Sequence, residues 1–376
     1  MHGAKPPTAA AAFSRTRRAL LHAAVLSAAA MPPHAARASA LGVGPRALTF
    51  PADFGAHPDT RIEWWYVTGT LSGRERLHGF QITFFRSRTP VAPGHPSRFA
   101  AQQLLFAHAA LTDLAQRRLR HDQRIARAGF GIAEAAQGDT AVALRGWRLQ
   151  RDGPLGRSRY RALADSEQAG FGFDLALATT QPLLLQGDAG HSRKGPQPEQ
   201  ASHYYSQPQL AVTGTLTLDG RALPVAGRAW LDHEWSDTLM DPQAVGWDWI
   251  GMNLDDGSAL TAFRLRRADG SALWAGGSFR PAGARARSFG PEEVRFTPGR
   301  VWTSPASRAA YPVEWTVATP AGRFAVKALL DNQELDSRAS TGSIYWEGLS
   351  DLLDDRGRRV GRGYLEMTGY AGTLRL

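Results

Sequence analysis

The chain has 376 residues, with 44 Lys and Arg against 34 Asp and Glu, and no cysteine. Disulfides, thiolate catalysis and cysteine-based zinc sites are therefore excluded, and no Lys/Arg block interleaved with aromatic residues points to nucleic acid. Five cations (Lys5, Arg15, Arg17, Arg18, Arg37) and no acid fall in residues 1–40, so without that segment the formal charge drops from +10 to +5, nearly all of it scattered arginine.

The N-terminal segment reads as a twin-arginine export signal. Thr16-Arg-Arg-Ala-Leu-Leu21 opens it, an apolar run extends from Leu20 to Met31, and Ala38-Ser39-Ala40 offers a small-x-small cleavage site. The run is shorter than the roughly 20 residues that span a bilayer. The expectation is cleavage after Ala40 and a periplasmic protein. Its length suits two domains, placed at 41–225 and 226–376.

Downstream, the dominant period is two. Arg61-Ile-Glu-Trp-Trp-Tyr-Val-Thr-Gly-Thr-Leu71, Gly79-Phe-Gln-Ile-Thr-Phe-Phe-Arg86 and Leu104–Thr112 are aromatic or β-branched runs of strand length, separated by turns such as Ser72-Gly73. Gln186–Pro208 is polar, rich in Gly, Pro, Gln and Ser, and reads as a long loop or lid. Strands resume at Leu210–Leu218, Asp248–Leu254, Leu260–Arg266, Val313–Val317 and Gly363–Tyr370, with Asp-Gly turns at 219–220, 256–257 and 269–270. Pro291–Val294 opens at most a short turn. Many short strands with regular turns predict an all-β fold of sandwiches or closed barrels. Glu63-Trp64-Trp65 and Trp247-Asp248-Trp249 each set an acid among tryptophans at a strand start, a faint echo of two similar units.

The densest chemistry lies in Trp230-Leu-Asp-His-Glu-Trp-Ser236 and Gly246-Trp-Asp-Trp249, which hold four of the 11 tryptophans beside three carboxylates and a histidine. Carboxylates among tryptophans suit an apolar cavity with polar anchors, or a site that protonates an apolar molecule and shelters the cation. Alternation puts Trp230, Asp232 and Glu234 on one face and Leu231, His233 and Trp235 on the other, with the two acids about 7 Å apart. It also heads two apolar rows with an acid: Asp248 before Ile250, Met252 and Leu254, and Glu63 before Trp65, Val67 and Leu71. Each of these acids either acts as a raised-pKa general acid or pairs with an arginine, Arg61 or Arg228 being near in sequence. No histidine follows His233 at metalloprotease spacing, and His57, His78, His108, His191 and His203 show no ligand pattern. No Gly-x-Ser-x-Gly elbow or glycine-rich phosphate loop is present, so neither metal nor cofactor is expected.

The chain resembles the family of carotenoid 1,2-hydratases and AttH-like secreted proteins. The resemblance runs through Phe50–Tyr66, Phe80–Arg86, Ala107–Asp113, Ser192-Arg-Lys-Gly195, Tyr204-Tyr-Ser206, Trp230–Trp235, Gly246–Trp249, Tyr345-Trp-Glu-Gly348 and Gly363–Tyr370. It implies two consecutive lipocalin-like (calycin) β-barrels. For the hydratases it also implies water addition to an isoprenoid alkene. Carried onto this chain, Asp248 or Asp232 would donate the proton, His233 would orient or deprotonate water, and Trp235 and Trp247 would face the cation. Asp232, His233, Glu234 and Asp248 are thus the candidate catalytic residues. Glu63, Trp64, Trp65, Tyr66, Trp230, Trp235, Trp247 and Trp249 are the candidate ligand contacts. The secreted AttH-like branch fits the export signal and Ser192–Gly195 better. The function expected is a binder of a small apolar, lipid or isoprenoid-like molecule with an accessory role or an unassigned activity, and a membrane surface or an export transporter as a further partner; the alternative is a hydro-lyase, with a hydrolase as the weaker variant.

Overall fold

The computed structural model describes residues 1–3, 42–73, 76–92 and 94–372; all but the first three residues of the expected export signal lie outside them. Apolar residues at every second position curl the chain into antiparallel sheets. The first sheet comprises β1 (Ile62–Gly73), β2 (Arg76–Arg88), β3 (Gln103–Asp113), β4 (Arg118–Arg127), β5 (Ala133–Ala135), β6 (Ala141–Leu144) and β7 (Trp147–Asp152). It continues with β8 (Arg159–Ser166), β9 (Phe171–Ala178), β10 (Leu184–Leu185), β11 (His191–Arg193), β12 (Ala201–Leu218) and β13 (Arg221–Ser236). Its order is β4-β3-β2-β1-β13-β12-β9-β8-β7-β6-β5, with β10 and β11 added along β12. Arginines of β4 bridge the ends of this nearly closed barrel. Arg120 makes two bonds to Asp219, and Arg124 lies 4.3 Å over the Trp147 ring and donates to the Asp165 carbonyl.

The second sheet comprises β14 (Gly246–Leu254), β15 (Ala259–Arg266), β16 (Ala272–Arg280), β17 (Arg287–Phe289) and β18 (Arg295–Pro298). After the small hairpin β19 (Val301–Thr303) and β20 (Ala310–Pro312) come β21 (Glu314–Thr319), β22 (Gly322–Ala328), β23 (Glu334–Ser337), β24 (Ser343–Leu353) and β25 (Arg359–Met367). The order β17-β16-β15-β14-β25-β24-β22-β21-β18 repeats the plan of a first strand flanked by the second and the last. The chain is thus all-β, with two consecutive lipocalin-like barrels. β13 stays with the first sheet, so the change of sheet falls at 237–245, beyond the division drawn at 225 and 226 from composition. Pro291–Glu293 is a single 3-10 turn.

Gln186–Pro208, expected as a loop, is loop only in part, because β12 starts at Ala201. Both faces of this stretch are buried, which hides the polar–apolar alternation that marks a half-exposed strand. The break the sequence does announce, Pro208, is a bulge: pairing with β13 shifts between Gln207 and Leu210, and Gln209 adopts a φ of 58°.

Side chains fill the first barrel, with Trp65, Phe80, Phe84, Trp147 and Trp235 all fully buried. Ile250, Met252, Trp315 and Trp346 do the same in the second. The barrels then bury part of their outer faces against each other. Tyr66, Trp230, Trp249, Leu349 and Tyr364 form a separate apolar cluster there. Hydrogen bonds cross the seam from Thr112 to Gln333, from Asn253 to the Ala229 carbonyl and from Gln209 to Leu254 and Ser258. Residues 41–376 consequently form one compact unit.

The echo between the barrels extends to an ion pair. Glu63 of β1 stands opposite Arg86 of β2, and Asp248 of β14 stands opposite Arg264 of β15. In each pair the arginine Nε lies 2.7 Å from the carboxylate. The partners are therefore neither Arg61 nor Arg228: antiparallel register, not closeness in sequence, selects them. Removing one member of a buried pair leaves an uncompensated charge, at a cost of about 3–5 kcal/mol. Arg264→Met should lose that much stability in urea unfolding, while Asp248→Leu with Arg264→Met should regain most of it.

Candidate functional site

The residues singled out in the sequence divide between two places. Glu63, Trp65, His233 and Trp235 point into the first barrel and close its end. Glu63 Oε1 hydrogen-bonds both His57 Nδ1 (2.7 Å) and His233 Nε2 (2.9 Å), while Oε2 takes Arg86. His57 Nε2 meets Asp53, and His233 Nδ1 meets the Tyr205 hydroxyl. Trp235 stacks on His57 at 3.8 Å, and Trp65 on His233 at 4.6 Å. Burial alone would raise the Glu63 carboxyl, but the two histidines and the Arg86 charge outweigh it and hold the group well below the usual range. His57, Glu63 and His233 are the one trio among the described residues spaced to hold a metal ion. Each of those ligand atoms is already engaged, and the Arg86 guanidinium shares the carboxylate, which disfavours a second cation. Asp248 is similarly committed inside the second barrel, to Arg264 and the Tyr370 hydroxyl.

The outward-facing residues Trp64, Tyr66, Asp232, Glu234, Trp247 and Trp249 instead line a cavity of about 140 Å³ between the barrels. Trp230, beside it, donates to Asp232 and meets Trp249 edge-on. The walls are cross-strand rows set by register. One runs Ser206, Asp232, Tyr66, Thr83, His108 across β12, β13, β1, β2 and β3; a second runs Tyr204, Glu234, Trp64, Phe85. The second barrel contributes Phe263, Trp249, Glu366 and Glu347, again in one row. Leu239 and Met240 of the linker, Thr341 of the loop before β24 and Ser343 at the start of β24 are half-buried and form the lip. An apolar cavity of roughly 150 Å³ holds a benzene-sized ring.

Four carboxyl groups face this aromatic space. Burial raises Asp232 to about 7, against the opposing pull of Ser206, Trp230 and Tyr204. Ser206 Oγ (2.5 Å) and Trp230 Nε1 (2.7 Å) both donate to Oδ1, so the proton of the neutral acid resides on Oδ2. Glu347 and Glu366 stand directly opposite one another on β24 and β25. Burial raises both carboxyls above the ordinary range, and the charge of Glu366 adds to the rise at Glu347. Gln81 donates to Glu347 at 2.6 Å across the seam. Glu234 is also raised by burial, countered by Lys194, whose Nζ lies 3.6 Å away, and by Ser202. Burial lowers His108 to about 3, so it is neutral; its Nδ1 lies 2.8 Å from the Tyr345 hydroxyl.

Sequence reasoning about the tryptophan cluster did not single out His108, Lys194, Tyr204, Tyr345, Glu347 or Glu366. The signal was nevertheless present. Ala107–Asp113, Ser192–Gly195, Tyr204–Ser206, Tyr345–Gly348 and Gly363–Tyr370, which carry the family resemblance, contain all six.

The two carboxyl populations have opposite pH signatures. The Asp232 acid is raised from 3.8 to about 7, so its favourable contribution to folding is full below the unfolded value and is lost as pH rises through 7. The depressed Glu63 contributes above the ordinary glutamate range and loses its effect on acidification. Asp232→Asn keeps an acceptor for Ser206 and Trp230. Melting curves should show the variant gaining on the wild type between pH 5 and pH 8 (roughly the titration window), whereas a constant difference would place the proton elsewhere.

Comparison with known proteins agrees with this architecture. No curated protein matches the chain. Among solved structures, a protein assigned as AttH from Nitrosomonas europaea is 48% identical, with a TM-score of 0.81 over 88% of this chain and 99% of that one. Kievitone hydratase from Nectria haematococca shares the fold at 15% identity and a TM-score of 0.63, covering 87% of this chain and 97% of its own. CghA with bound Sch210972 does so at 13% identity and a TM-score of 0.52, covering 87% and 97%. The AttH-like family profile matches residues 42–370. On that match and the 48% identity, the chain belongs to the AttH-like family.

Proposed function

We propose that this is a periplasmic small-molecule enzyme that binds one largely apolar ligand between its barrels and there adds water to an alkene, or removes it from the corresponding alcohol. The observation that carries the proposal is a set of carboxyls that have no cationic partner among the described residues. Asp232, Glu347 and Glu366 lie in an aromatic cavity where burial favours their neutral forms. Such groups weaken a fold as pH rises, and raised acids gathered in a cleft mark proton-transfer chemistry. A pure carrier of apolar molecules has no need of them. The name of kievitone hydratase, a protein of the same fold, supports the reaction class, and CghA with Sch210972 supports a small-molecule site.

In hydration, Asp232 Oδ2–H protonates one alkene carbon, the π electrons forming the new C–H bond and leaving a tertiary cation on its neighbour. The rings of Trp64, Trp247 and Trp249 line the space around that cation. A cation over an indole face gains roughly 0.5–2 kcal/mol. A water oxygen then bonds to the cation and returns one proton to the Asp232 carboxylate, so alkene and water give a tertiary alcohol and the acid is restored. His233, Trp235 and Asp248 support this site through the strands they hold and do not reach the cavity.

A general acid of this kind contributes about 10²–10⁴-fold. Incubation with short isoprenoid alkenes in heavy-oxygen water should give labelled alcohol. Asp232→Asn should lower kcat by at least about 100-fold with KM little changed, and the wild-type rate should fall as pH rises through about 7. Tight binding with no label, unaltered by Asp232→Asn, would make the protein a carrier.

A further inference from the structure

Only three of the 44 cationic residues are lysine: Lys5, Lys194 and Lys327. In so arginine-rich a chain, a lysine at the wall of the cavity provides what arginine cannot: a compact head with three rotatable donors. Lys194 is 7% exposed and lines the cavity. Its backbone N–H donates to the Gln200 carbonyl, and the neighbouring Arg193 carbonyl accepts from Trp274 of the second barrel, so the side chain is held in place between the barrels. The Nζ lies 5.5 Å from the Trp64 ring centroid and 3.6 Å from Glu234 Oε1, an oxygen that already accepts from Ser202 at 2.5 Å. Among the described residues Nζ has no hydrogen-bond partner. A buried ammonium with unused donors is costly unless something completes it.

We propose that Lys194 is the specificity-determining residue of the cavity, selecting ligands that carry a neutral carbonyl oxygen. This rests on the small-molecule reading above and names the ligand's polar end. Glu234 already balances the charge of Lys194, and Asp232, Glu347 and Glu366 surround the same space, so an anionic ligand would add repulsion without need. A carbonyl oxygen offers two lone pairs and brings no proton that must itself find an acceptor. Asp232 is two residues from Glu234 along one strand, so the two acids are set about 7 Å apart along the same wall, and Lys194 stands beside the Glu234 end of it. The ligand is then a compact apolar molecule that carries its alkene and its carbonyl at different places, the one toward Asp232 and the other toward Lys194. Burial lowers the Lys194 ammonium from its usual value, with Glu234 opposing, so the group gains from any acceptor brought to it.

The test uses four probes of similar shape on the exported form of the protein: cyclohexanone, cyclohexanol, methylenecyclohexane and cyclohexanecarboxylate, followed by tryptophan fluorescence and calorimetry. Cyclohexanone should bind at least about tenfold tighter than methylenecyclohexane, as a hydrogen bond to a charged donor allows, with the alcohol between them and the carboxylate weakest. In Lys194→Met the ketone should lose that advantage while the hydrocarbon binds as well or better, a change of ratio that a purely structural lysine would not produce. If that variant fails to fold, the wild-type series alone decides. Equal binding of ketone and hydrocarbon, preference for the carboxylate, or a uniform loss in Lys194→Met would overturn the role of Lys194 and leave the cavity's function standing. Binding of none of the probes would overturn both.

Discussion

The two-residue period of a strand acquires unusual force when both faces of the strand are buried, and that constraint governs this molecule. In β1 and in residues 229–236 of β13 one face packs into the first barrel and the other against the second barrel, so neither parity of residue is left to water there. Trp65, His233 and Trp235 build the barrel's interior; Trp64, Tyr66, Asp232 and Glu234 build the seam. A slip of one residue in the β1–β13 pairing would put the Glu63 network into the seam and the cavity's acids into the core, which strongly disfavours alternative registers.

The same constraint sorts the carboxylates. Acids pointing inward meet arginines directly opposite on the next strand and become charged, bonded rivets: Glu63 with Arg86, Asp248 with Arg264. Acids pointing into the seam meet aromatic rings, hydroxyls, one another or, for Glu234 alone, a lysine, and burial drives them toward the neutral form. The distinction lies in what the neighbouring strand presents at that register position. Neither kind could be told apart by residue type or by distance along the chain.

Much of the architecture was legible in the sequence because alternation is a local property. The strands at Arg61–Leu71, Gly79–Arg86 and Leu104–Thr112, and the division of Trp230–Ser236 into two faces, follow from it directly. The start of β12 was not, since a strand buried on both sides loses its polar stripe and Gln186–Pro208 then reads as loop. The site was half legible. Asp232, Glu234, Trp64, Tyr66, Trp247 and Trp249 were found as residues, but their grouping apart from His233 and Asp248 needed the packing of one barrel on another. That packing also brings Glu347 and Glu366, which lie far beyond Asp232 and Glu234 in the chain, to the same cavity. Lys194 is marked in the sequence by its rarity and by the Ser192–Gly195 stretch of the family resemblance, but its role needs its placement.

β13 carries the framework and the chemistry on interleaved positions of one short run. Leu231, His233 and Trp235 answer to the barrel, whereas Asp232 and Glu234 answer to whatever occupies the seam. Residues of the second set can change without disturbing the packing of the first, so the requirements of folding and of ligand choice are met by separate letters of the same word. A scaffold written in this way can be given a new substrate by altering alternate residues, keeping its barrels while its cavity takes on a different task.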